Sequence, residues 1–180
     1  MMNKKIIIMS HCILNNNSKV RYINDEKRLE QNKEKQKFIK KIIDKDIGII
    51  QLPCPEFTCY GSNRWGHVKD QFDTPHFRKH CRDLFKLCLE QIEEYINNGY
   101  EIKAIIGIEG SPTCGVTKTC RGNWKGELCG NKALSSTINS IKECKEQGIF
   151  IEEINKMLKE KNISIKIVGL DESNVEKILI

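Results

Sequence analysis

Ile102-Lys103-Ala104-Ile105-Ile106-Gly107-Ile108 is an apolar run that leads almost directly into Gly110-Ser111-Pro112-Thr113-Cys114-Gly115. The first stretch, rich in isoleucine, has the composition of a buried strand, and the second is turn chemistry in which glycine and proline stop the ladder. Just upstream, Thr74 can cap a helix with Pro75 in its first turn. Phe77, Cys81, Leu84, Phe85, Cys88, Ile92, Tyr95 and Ile96 then recur on one helical face until Gly99 stops it. A long amphipathic helix feeding an apolar strand is the second half of a βαβ unit.

The same alternation extends both ways along the chain. Lys4–Met9 reads as a first strand, and Lys27–Asp44 as a helix with Leu29, Phe38, Ile39, Ile42 and Ile43 at helical spacing. Asp46–Leu52 is a second strand, closed by Pro53 and Pro55. Beyond the quoted stretch, residues 131–147 and 149–161 read as helices broken at Gly148, residues 164–170 as a fourth strand, and a short helix finishes the chain. Such alternation implies right-handed crossovers and a mostly parallel sheet with helices on both faces. The expected fold class is α/β: a single-domain, three-layer, Rossmann-like sandwich with about four strands, residues 1–180 forming one domain. No repeat, proline-rich linker or low-complexity tract divides it.

Composition narrows the class. Over 180 residues, 39% are hydrophobic and 30% charged, which is a globular balance. No run approaches the roughly 20 apolar residues of a membrane span, and the first dozen residues lack a signal-peptide core, so the expected location is cytoplasmic with no membrane partner. The net charge of +6 is moderate, and much of it sits between Lys27 and Lys45, which reads as a solvated helix face without interleaved aromatics for base stacking. The nine cysteines are the anomaly. In a reducing compartment they are buried hydrophobes, reactive thiols or metal ligands rather than disulfides, and no Cys-x-x-Cys pair occurs.

Ligands in open α/β sheets collect at the carboxyl ends of the strands. Three segments leave those ends, and each carries a cysteine: Ser10-His11-Cys12, Pro53-Cys54-Pro55-Glu56, and Gly110 to Gly115 with Cys114. Three convergent thiolates suit a thiophilic metal centre. Zinc would ordinarily take a fourth protein ligand, whereas a cubane iron–sulfur cluster can take three cysteines and leave one iron open.

Ser-x-Cys after the first strand, Cys-Pro-Glu after the second and Ser-Pro-x-Cys-Gly after the third resemble the thiouracil desulfidase family, in order and spacing, from residue 4 to about 170. The resemblance implies a 4Fe–4S cluster on Cys12, Cys54 and Cys114, whose fourth iron captures the sulfur of a thiolated pyrimidine before water replaces it. The reaction it implies is a non-redox hydrolysis of thiouracil, thiouridine or its nucleotide, with the family's catalytic glutamate and serine falling on Glu56 and Ser111. The loop after Cys-Pro-Glu departs from the family's glycine-rich pattern, and Thr113 stands where serine is usual. Arg64 in that loop is a candidate for a substrate phosphate or carboxylate, Trp65 for stacking, and Ser10 for substrate contact. Packing is the alternative for Arg64 and Trp65, as helix capping is for Glu56 and turn formation for Ser111. A small-molecule substrate is expected, with tRNA as the other possibility.

Of the remaining thiols, Cys81, Cys88 and Cys144 fall in helical patterns and read as core residues. Cys59, Cys120 and Cys129 fall in loops, where a second metal site would need a further ligand such as His67 or His76. His11 stands beside a proposed ligand and is a candidate proton donor. The alternative functions are a non-catalytic zinc or iron–sulfur module, and a thiol enzyme with Cys12 as nucleophile, which would need a depressed thiol pKa.

Overall fold

The computed structural model describes residues 4–20 and 25–170; the expected terminal helix lies outside them. Strand β1 (Lys5–Met9) leads into a single turn, α1 (His11–Leu14), and the long helix α2 (Asp25–Asp44). Strand β2 (Gly48–Gln51) is followed by the short helices α3 (Pro55–Tyr60) and α4 (Lys69–Phe72), and then by α5 (Pro75–Asn97) and β3 (Glu101–Ile108). The remainder is β4 (Thr119–Arg121), α6 (Leu134–Asn139), β5 (Lys142–Cys144), α7 (Ile149–Glu160) and β6 (Ile167–Leu170).

Strands β2, β1, β3 and β6 form, in that order, an all-parallel sheet. Met9 stands opposite both Gln51 and Ile106, so the first three strands end close to one line. Side chains alternate across the strands with period two, which sorts the core into two halves. Ile8 and Ile105 face Phe77, Cys81, Phe85 and Ile92 of α5 together with Phe150 and Ile154 of α7. Ile7, Met9, Ala104 and Ile106 face the other way, onto Ile13 of α1 and Phe38 and Ile42 of α2. The result is the three-layer sandwich expected from the alternation, and each fully buried large side chain contributes roughly 1.5–3 kcal/mol. Helix α5 starts as its sequence dictates: Thr74 Oγ1 accepts from the Phe77 amide at 3.2 Å, with Pro75 next in line. On α2 the buried stripe is narrower than the spacing implied, since Leu29 and Ile43 are about 60% exposed.

The expected helix over residues 131–147 is corrected. Only Leu134–Asn139 is helical there, and Lys142–Cys144 pairs antiparallel with Thr119–Arg121 as a separate two-stranded sheet. Beyond Asn139, long-range strand pairing and ion pairs prevail over the local pattern. Arg121 of β4 bonds Asp70 at 2.7 Å and Glu146 at 2.8 Å, while Lys69, itself buried, bonds Glu146 at 2.9 Å and Glu152 at 2.6 Å. These contacts pin the small sheet to α4 and α7. Cys144 is consequently a half-buried strand residue and not a core helix residue, whereas Cys81 and Cys88 are buried in the core. Among the described residues no helix is long and apolar enough to cross a membrane.

Candidate active site

Each of the three cysteine segments is fastened where it leaves its strand. The Ser10 amide donates to Ile106 O at 2.9 Å, which holds the end of β1 against β3 and starts α1 with Cys12 in its only turn. The Leu52 amide donates to Met9 O at 2.7 Å, and Cys54 then caps α3, its sulfur accepting from the Phe57 amide at 3.4 Å. The third segment folds back on β3: the Ile108 amide donates to Cys114 O at 2.8 Å, and the Gly115 amide to Ser111 O at 3.1 Å.

Helix α7 braces this loop from outside. The Ile149 and Phe150 amides, which the helix leaves unpaired at its start, donate to Pro112 O and Thr113 O at 3.0 Å each. The approach is so close that a Cβ on Gly148 would stand 2.4 Å from the Thr113 carbonyl carbon. A Cβ on Gly107 would likewise meet Cys114 O at 2.3 Å. Only glycine fits at these two backbone contacts.

The loops thus enclose a cleft of about 250 Å³ lined by Cys12, Cys54, Cys114, Glu56, Ser111 and Arg64, among others. Burial pushes the Cys12 and Cys114 thiols up and takes Cys54 to about 11. The thiols also feel one another: Cys12 and Cys54 add to the rise at Cys114, and Cys12 to that at Cys54. A nucleophilic Cys12 would need the opposite shift. All three are thus held in the protonated form near neutral pH, and a metal binding them would have to displace their protons.

Glu56 sits in the first turn of α3 and is only 8% exposed. Thr113 Oγ1 donates to its Oε1 at 2.7 Å, and Arg64 Nε faces its Oε2 at 3.4 Å. Ser111 Oγ accepts from the Cys114 amide at 3.0 Å and the Thr113 amide at 3.3 Å, so it does form the turn. Its own hydrogen remains available, either to the cleft or to Thr113 Oγ1 at 3.3 Å. A short chain of hydroxyls therefore runs from Ser111 through Thr113 to the buried carboxylate.

Other candidates lie elsewhere. Ser10 is 1% exposed, its Oγ without a well-formed hydrogen bond but close enough to the Cys114 sulfur to favour a thiolate there. Trp65 is 74% exposed and lines a separate groove with His67 and Trp124. His11 is half-buried, its ring stacked 6.5 Å from that of Phe57. Cys59 and Cys129 are exposed, and Cys120 in β4 directs its sulfur to His67 O at 3.6 Å.

Lys35 shows no functional signal in the sequence beyond its place one turn before Phe38. It is buried, not solvated with the rest of its helix, and donates to Cys12 O and Asn16 Oδ1 at 3.1 Å each. Burial, with Lys19 nearby, lowers it to about 8.

Among the described residues no three His, Cys, Asp or Glu side chains are placed to hold one metal ion. Three thiols arriving from three separate loops are a soft donor set that fits a thiophilic metal centre.

The family model described as "Putative 2-thiouracil desulfurase" matches residues 4–169. The uncharacterized protein MJ0003 of Methanocaldococcus jannaschii is 34% identical over 163 residues, spanning 88% of this chain and 100% of that protein. No solved structure gives a significant match. With the family model covering almost the whole sandwich and every loop of the cleft, the chain belongs to the family described as "putative 2-thiouracil desulfurase".

Proposed function

We propose that the chain is a desulfidase that carries a 4Fe–4S cluster on Cys12, Cys54 and Cys114 and hydrolyses the C–S bond of a thiolated pyrimidine. The observation that carries this reading is the convergence of three thiols, one from each strand end, Cys114 buried and Cys12 and Cys54 half-buried, on a cleft that also holds a buried carboxylate. When bound by three cysteines, such a cluster supplies an open iron as a Lewis acid toward the thiocarbonyl sulfur.

The chain's own residues supply the remainder. Glu56 is the base that takes a proton from the attacking water, its carboxylate aligned by the Thr113 hydroxyl. Ser111, both of whose backbone partners donate to it, can direct its own hydrogen at a ring atom where negative charge develops. Water's oxygen replaces sulfur on carbon, giving the oxo-pyrimidine and hydrosulfide plus one proton, and no electrons change hands.

The test is anaerobic reconstitution with iron and sulfide, followed by measurement of sulfide release from 2- and 4-thiouracil, their nucleosides and nucleotides, and thiolated tRNA. At least one is desulfurated, and Glu56→Gln lowers kcat by about 10²–10⁴-fold with iron content retained. Absence of sulfide release from all of them would overturn the proposal.

A further inference from the structure

The side chain of Arg64 is 4% exposed, and each of its three nitrogens faces a protein acceptor. Nη2 donates to Ser18 O at 2.8 Å, Nη1 to Gly61 O at 2.9 Å, and Nε lies 3.4 Å from Glu56 Oε2. The acceptors belong to three different places. Ser18 ends the turn that follows the Cys12 helix, Gly61 is the residue on which the Cys54 helix α3 stops, and Glu56 is the cleft carboxylate. One guanidinium thus ties the first cysteine segment to the second, with the carboxylate held between them. Its planar fork of fixed donors can span such acceptors, and a lysine ammonium on a flexible stem cannot. Three of its five N–H donors are thus committed to protein acceptors, and only 4% of the side chain is left exposed to a substrate anion.

We infer that Arg64 is a positioning residue: it straps the Cys12 and Cys54 segments together and fixes Glu56 between them, and it does not bind substrate. The inference rests on the reading of Glu56 as the base, and the experiment separates the two. Arg64→Met and Arg64→Lys are compared with the unaltered chain by amide hydrogen exchange of the metal-free protein, and by iron content and steady-state sulfide release after reconstitution.

In Arg64→Met, exchange over residues 12–20 and 57–66 accelerates about tenfold while β1 and β3 stay protected. Its kcat falls about 10–100-fold with KM within about twofold and iron content unchanged. Arg64→Lys keeps the fold and the iron but recovers little of kcat. Unchanged exchange together with kcat within about twofold of the original overturns the inference, as does a raised KM with unaltered kcat. Should the unaltered chain release no sulfide, the functional reading fails, and the exchange data alone decide whether Arg64 is the strap.

Discussion

At the scale of single residues, the cleft is organised around one largely buried carboxylate that lines it. Glu56 has Thr113 on one oxygen and Arg64 on the other, and the shorter contact is the hydroxyl at 2.7 Å. Thr113→Val keeps the shape but leaves Glu56 Oε1 buried and unpartnered. Such a loss costs about 1–3 kcal/mol, read as a lower Tm of the metal-free protein. Thr113→Ser restores the hydroxyl and with it most of the stability; a valine variant as stable as the original would show that the contact carries no weight. Cys12, Cys54 and Cys114 were legible in the sequence because each stands a few residues past an apolar strand. Arg64 was legible as a special residue but its contacts were not, since two of its acceptors are backbone carbonyls, which leave no trace in composition. Lys35 was hidden by the lysines around it, and only its burial beneath the Cys12 segment distinguishes it.

At the scale of elements, the Cys114 loop depends on how closely helix α7 can approach it. Gly148 is the contact point, its amide donating to Gly115 O at 2.9 Å. Gly148→Ala would drive a methyl into the Thr113 carbonyl, with no flexible side chain there to yield. The expected cost is about 1–3 kcal/mol, together with displacement of Thr113 and Cys114, seen as a lower Tm and weaker iron retention on reconstitution. An alanine variant with unchanged Tm would mean the loop moves aside freely. The sequence marked Gly148 as a break between two helices, yet only the helix after it forms as expected. The stretch before it fails as a helix because β5 finds a partner in β4, more than twenty residues away, through ion pairs that periodicity cannot reveal. The parallel strands, by contrast, were legible to within about three residues, since their apolar runs are bounded by proline, glycine and polar residues that stop the ladder.

At the scale of the whole molecule, an ionic network joins the small sheet, α4, α5 and α7. Arg78 of α5 bonds Asp73, Glu152 and Glu153 at 2.7–2.8 Å, and Lys69 and Arg121 meet on Glu146. Hydrogen bonds from Arg121 and Lys69 hold the Glu146 carboxyl at about 2, below its ordinary 4.5. A depressed carboxyl adds stability that is fully present above about 4.5 and is lost as pH falls toward 2. The Tm gap between the original chain and Glu146→Gln is therefore largest near pH 6 and closes as pH approaches 2 in calorimetry; a gap independent of pH would contradict this. If the three strand-end thiols form one iron–sulfur socket, iron uptake depends on all of them together. Anaerobic reconstitution of the original chain should yield about four iron ions per molecule with broad visible absorption. The same result should follow with Cys81 and Cys88 replaced by alanine, whereas Cys12→Ala/Cys54→Ala/Cys114→Ala abolishes both signals. A triple variant that still took up the full complement of iron would contradict the account.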